Sequence, residues 1–143
     1  MKIVKQWSLA PCESPSGLAI DRANHRLFSG CHNQKMAISD AVAGKVITTV
    51  PIGKYVDANR YDAGTHLAFS SNGDGTLTVV RQDSPDKYSV LGNLKTEMGA
   101  RTMAMDPRTH TIYLATAKFE PAKGKERPRP IPGSFVILVA EKK

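Results

Sequence analysis

His66-Leu67-Ala68-Phe69-Ser70-Ser71-Asn72-Gly73-Asp74-Gly75-Thr76-Leu77-Thr78-Val79-Val80 is the stretch that decides the fold. Leu and Phe alternate with small or polar residues, the chain pauses on Asn-Gly-Asp-Gly, and alternation resumes with β-branched residues. Such a pause between two alternating runs is the strongest short-range signal for a β-hairpin, because the turn needs backbone angles that Gly, Asn and Asp adopt most readily. Immediately upstream stands Tyr61-Asp62-Ala63-Gly64-Thr65-His66, and the phrase Asp-x-x-x-His recurs as Asp21-Arg22-Ala23-Asn24-His25 and as Asp106-Pro107-Arg108-Thr109-His110. The three Asp residues are 41 and 44 positions apart (62 − 21 and 106 − 62), within the roughly 40–45-residue period of a four-stranded propeller blade. The hairpin is therefore one piece of a repeat.

Working outward, residues 17–52 read as one blade: Leu18-Ala19-Ile20, Leu27-Phe28-Ser29-Gly30, Met36-Ala37-Ile38-Ser39 and Val46-Ile47-Thr48-Thr49-Val50, separated by turn residues. Residues 55–95 repeat the pattern around the hairpin. Residues 100–140 form a third unit that ends one strand short, at Phe135-Val136-Ile137-Leu138-Val139. Residues 2–9, with Ile3, Lys5, Trp7 and Leu9 alternating, read as a displaced outer strand with nothing before it to pair with. The expected fold is all-β: a β-propeller of about three four-stranded antiparallel blades, either a partial propeller or half of a six-bladed homodimer. Inside the third unit, residues 118–133 carry prolines at alternating positions among basic residues. Proline removes ladder donors and favours extended polyproline geometry, so this is an inserted basic loop in which Lys123, Lys125 and Arg127 are the expected first sites of trypsin cleavage.

The composition fits a globular chain. Of 143 residues 41% are hydrophobic, and no apolar run approaches the roughly 20 residues of a membrane helix, so no membrane partner is expected. The net charge of +7 invites a nucleic-acid reading, but no zinc-finger spacing or aromatic-interleaved basic strand accompanies it. The N-terminal residues lack the apolar core and cleavage site of a signal peptide, which as written would keep the chain in the cytoplasm.

Candidate chemistry is sparse. Counting five positions back from each repeat Asp gives Ser16, Asp57 and Arg101. These should converge at one entrance of the central channel, where propellers usually bind ligands. Asp57 and Arg101, from adjacent blades, could pair as ions, either tying the blades together or awaiting a ligand. Asn59 and Arg60 are further polar intrusions into an apolar strand that could face the channel. Cys12 and Cys31 fall on the same face of the first blade; a disulfide, two inert thiols and a metal site shared with His32 all remain open. His25, His66 and His110 could suggest a three-histidine metal site, yet equivalent positions on successive blades lie apart, so the Asp and His of each phrase are read as shaping a tight turn. No nucleophile elbow, phosphate-cradling loop or carboxylate pair is present. Asn72-Gly73-Asp74-Gly75 lacks the later ligands of a calcium loop and reads as the hairpin turn.

The blocks Ser16-Gly17-Leu18-Ala19-Ile20-Asp21, Ala68 to Val79, and Gly99-Ala100-Arg101-Thr102-Met103-Ala104-Met105-Asp106-Pro107 resemble the YncE-like, YVTN-repeat β-propellers of bacteria. The resemblance covers nearly the whole chain. It implies a protein of typically seven blades, exported to the periplasm or secreted, and mostly without assigned activity; about three blades and no export signal suggest the C-terminal part of a longer protein or a chain that must assemble. The expected function is a non-enzymatic scaffold binding a ligand or a protein, with no cofactor. The alternative is part of a propeller enzyme, lactonase-like or quinone-dependent, holding a channel metal or cofactor. A further expectation is that two copies related by a two-fold axis close the ring, residues 2–9 of each completing the last blade of the other and Trp7 packing on that blade; in a longer protein the same strand would complete a blade outside this sequence.

Overall fold

A computed structural model describes residues 1–122, 124 and 128–142. Its regular structure is antiparallel β, in three sheets that follow one another along the chain. The first sheet has the order β1 (Pro15–Asp21), β2 (Arg26–Cys31), β3 (Lys35–Asp40), β4 (Lys45–Pro51). The second has the order β5 (Val56–Asp62), β6 (Leu67–Asn72), β7 (Thr76–Ser84), β8 (Lys87–Lys95). The third has three strands, β9 (Thr102–Asp106) beside β10 (Thr111–Thr116) beside β11 (Val136–Ala140). The hairpin forms as the sequence dictates: β6 and β7 pair from Leu67↔Arg81 to Asn72↔Thr76, and Gly75 closes the turn at φ +86°, a left-handed angle that glycine adopts without strain.

Each repeat phrase makes the turn from the first to the second strand of its sheet. The Asp21 carboxylate accepts the backbone N–H of Ala23 and Asn24, Asp62 that of Gly64, and Asp106 that of Arg108. His25, His66 and His110 close these turns at φ +55°, +55° and +60°. Short acidic side chains that bond the backbone two or three residues on hold such turns.

Between successive sheets lies the core. Phe28, Met36 and Ile38 of the first sheet pack against Val56, Ala68 and Val80 of the second, and the Phe28 ring stacks on Tyr61 at 5.0 Å while meeting Tyr88 edge-on at 5.8 Å. Phe69 and Leu77 on the far face of the second sheet pack against Met103, Ile112 and Leu114 of the third. Burial of each such side chain contributes roughly 1.5–3 kcal/mol, so both inter-sheet seams are well filled. The inner strands β1, β5 and β9 are neighbours in that order, which puts the three sheets around a common axis as blades.

Residues 2–9 pair with no strand among the described residues and are largely exposed; the strand expected to pair with them, β11, stands at the other end of the arc. Trp7, expected on another copy's last blade, lies instead over Gly44 in the turn between β3 and β4: a Cβ there would stand 2.3 Å from Trp7 Nε1. Cys12 and Cys31 are joined as a disulfide, with Cα atoms 5.4 Å apart, which fixes this segment to the first blade. The inserted loop is closed at its base by a bridge between Phe119 and Pro130 and by the Ile131 N–H on the Lys118 carbonyl at 2.8 Å. The cleavage sites expected at Lys123, Lys125 and Arg127 lie outside the described residues.

Candidate functional site: the channel mouth

At one end of the inner strands, Ser16 Oγ of β1 reaches the carbonyl of Asp57 in β5 at 3.5 Å. Ser71 Oγ in turn donates to the Arg101 carbonyl, just ahead of β9, and stands 3.3 Å from that of Ala58. Ser16, Asp57 and Arg101 thus sit at the same end of three adjacent inner strands. Asp57 and Arg101 do not pair as ions: the pairs among the described residues are Arg26 with Asp40 and Asp86, Arg81 with Asp83, Arg108 with Asp106, and His110 with Asp62. The Arg101 side chain instead passes over the turn at Gly73, 3.6 Å from where a Cβ would stand, and is exposed to water.

Asn59 and Arg60 occupy opposite faces of β5. Asn59 is 0% exposed, wedged against the first blade, where a Cβ on Gly30 would lie 2.4 Å and one on Gly17 2.7 Å from its Oδ1. Neither of its amide atoms has a hydrogen-bond partner among the described residues. Only glycines at 17 and 30 leave room for it, so this residue belongs to the seam between blades and not to the channel entrance. Arg60 is half-buried on the face toward the third blade, its Nη1 donating to the Asn59 carbonyl at 2.7 Å.

The Asn72–Gly75 turn spends its oxygens within the fold. Asp74 accepts the Lys54 N–H at 2.7 Å and the Thr76 hydroxyl at 2.6 Å, while Asn72 bridges Ser70, Thr76 and Thr78. At the opposite end of the strands, two buried carboxylates link blades. Asp21 accepts from Gln82 Nε2 of the second blade at 3.0 Å and from Asn24 Nδ2 at 2.7 Å. Burial opposes its charge, but the bonds from Asn24, Gln82 and the turn N–H groups outweigh that and hold its pKa below the ordinary Asp value. Asp62 accepts from Thr65 Oγ1 at 2.6 Å and faces His110 Nδ1 of the third blade at 2.7 Å; burial again opposes the charge, and Thr65, Gly64 and His110 again lower its pKa on balance. The sequence places Asp and His in the local turn; in the third blade His110 also reaches Asp62 of the preceding blade, whereas His66 lies 3.4 Å from the Tyr61 hydroxyl of its own blade, so the repeated phrase does not by itself signal the contact.

A groove of about 420 Å³ opens between the outer parts of the second and third blades, lined by Leu77, Val79, Leu91, Leu94, Ile112 and Ala140 among others. No group of three His, Cys, Asp or Glu side chains close enough to hold a metal ion occurs among the described residues.

No protein-family model matches the chain. No curated protein matches it. Among solved structures it is similar to Kuenenia stuttgartiensis hydrazine synthase, at 15% identity and a TM-score of 0.65 over 82% of this chain and 33% of that one. It is also similar to the computationally designed Ika4 protein, at 18% identity and a TM-score of 0.62 over 80% of this chain and 68% of that one. A third likeness is to the Swd1 beta-propeller domain of Myceliophteria thermophila, at 11% identity and a TM-score of 0.60 over 73% of this chain and 37% of that one. At these identities the likeness shows the fold alone, a β-propeller arrangement of blades. The chain spans about a third of the length of the hydrazine synthase and Swd1 chains.

Proposed function

We propose that this chain is a non-enzymatic propeller module of the YVTN type that binds an acidic group, on a protein or a smaller ligand, at the channel mouth formed by Ser16, Asp57 and Arg101. The observation that carries the reading is that Arg101, exposed at the mouth, is neutralised by no carboxylate among the described residues, although Asp57 stands at the same end of the adjacent strand. An exposed cation free of carboxylate partners among the described residues, on a chain of net charge +7, attracts anions. The Cys12–Cys31 disulfide suits an oxidising compartment, in keeping with an exported protein.

The test is calorimetric titration with hexaglutamate against the native chain, Arg101→Ala and Arg108→Ala. Arg108 lies in the turn at the far end of the third blade with its side chain 89% exposed, so its removal subtracts the same charge without touching the mouth. The reading requires Arg101→Ala to weaken binding at least about tenfold and Arg108→Ala to change it little. Equal weakening by both would reduce the binding to general electrostatic attraction and end the proposal.

A further inference from the structure

We propose that two copies of this chain close a six-bladed ring about a two-fold axis, residues 2–9 of each adding the fourth strand to the free edge of β11 in the other. The inference rests on the fold and is independent of what binds at the channel mouth.

Both ends of the arc are unfinished in complementary ways. Phe28, Met36 and Ile38 face the second blade, so by strand alternation Ser29, Ala37 and Ser39 face away from it. These three are nevertheless buried, on the face where the disulfide at Cys31 and Trp7 at Gly44 lay the N-terminal segment. On the same face nearer the axis, Leu18 and Ile20 remain 61% and 46% exposed. The N-terminal segment thus stands where the outermost strand of a preceding blade would stand, and no inner strands lie beside it among the described residues.

The other end supplies them. Among the described residues the third blade has three strands, and β11 pairs with β10 on one edge alone. Its residues Ile137 and Val139 are 60% and 59% exposed on the face turned away from the second blade, the face that would cover Leu18 and Ile20. The groove beside Leu91 and Leu94 is the space left by the absent fourth strand, and Val4 of an incoming segment, on the side opposite Trp7, would turn toward it. One charge pair has a counterpart: in the first blade the third strand ends at Asp40 opposite Lys45, the start of the fourth, and in the third blade Glu141, with Lys142 after it, follows β11 while the incoming segment carries Lys2.

The buried carboxylates follow the same order. Asp21 takes a bond from the second blade and Asp62 one from the third, whereas among the described residues Asp106 is met by Arg108 of its own turn alone. In the closed ring its next blade is the first blade of the second copy, where His25 holds the place that His110 holds in the third. On the pattern of His110 with Asp62, and unlike His66, which lies by Tyr61 of its own blade, His25 of the second copy meets Asp106.

Sedimentation equilibrium of the 143-residue chain tests this. The expected result is a species of twice the 15.5 kDa chain mass with a dissociation constant near or below about 1 μM, ordinary for an interface of this kind. Ile137→Lys with Val139→Lys, both at positions exposed in the single chain, should weaken the dimer at least about 100-fold with an unchanged far-ultraviolet circular dichroism spectrum. Removal of residues 1–9 should do the same, and His25→Ala should weaken it more modestly. A native chain that sediments as a folded 15.5 kDa species, open-ended larger assemblies, or a dimer that survives both the lysine pair and the truncation would each overturn the proposal.

Discussion

His110 Nδ1 lies 2.7 Å from Asp62 Oδ2, so the turn that opens the third blade is bonded to the turn that opens the second. The carboxylate is almost fully buried and is already held by Thr65 and the Gly64 N–H, so the bond acts on a group that cannot swing away. His110→Ala should destabilise the chain by about 1–2 kcal/mol, from an acceptor left short of one partner and an alanine at a left-handed angle. A urea unfolding midpoint equal to that of the native chain would mean that the contact between blades contributes nothing.

The two buried carboxylates also set the response to acid. Asp21 and Asp62 have folded-state pKa values below the ordinary Asp value of 3.8, so the stability they add is complete above that value and is lost as pH falls through the folded values. Urea midpoints should be level between about pH 7 and 5 and should drop below about pH 4. Asp21→Asn should flatten part of that drop; an equally steep profile in the variant would assign it to other groups.

How much of this was legible in the sequence depends on the range of each interaction. The hairpin at Asn72–Gly75 was legible because alternation and turn chemistry act within a few residues. The three repeat turns were legible for the same reason, and the period of the Asp-x-x-x-His phrase then gave the blades. Contacts across blades were not. Asp57 and Arg101 stand at the same end of adjacent strands, yet their side chains do not pair; Asn59 turns to a seam that only Gly17 and Gly30 leave open for it; and Trp7 covers Gly44, 37 positions away (44 − 7). Each of these depends on how one twisted sheet is rotated against the next, which local alternation does not encode.

Trp7 is the chain's one tryptophan, so its emission reports the contact with Gly44 directly. Gly44 sits at φ +70°, an angle that asparagine tolerates, so Gly44→Asn adds a side chain beneath the indole with little backbone strain. The emission of the variant should shift to longer wavelength as the ring moves into water. Unchanged emission would show that the indole does not rest there.

Loss of the disulfide should loosen the same segment. Cys12 and Cys31 close a loop of sequence separation 19, for which the chain-entropy account gives about 3 kcal/mol. Cys12→Ser with Cys31→Ser, or the native chain in excess reductant, should lose stability of that order in urea titrations. Identical midpoints with and without reductant would show that the thiols are unpaired in solution.

Native-state hydrogen exchange along β11 tests the closed ring most directly. An edge strand has alternate N–H groups facing water, whereas a strand paired on both sides has none. The account predicts that consecutive amides from Val136 to Ala140 are protected as well as those of the interior strand β7. Fast exchange at alternate β11 amides beside a protected β10 would show that the edge is open and that no second copy completes the blade.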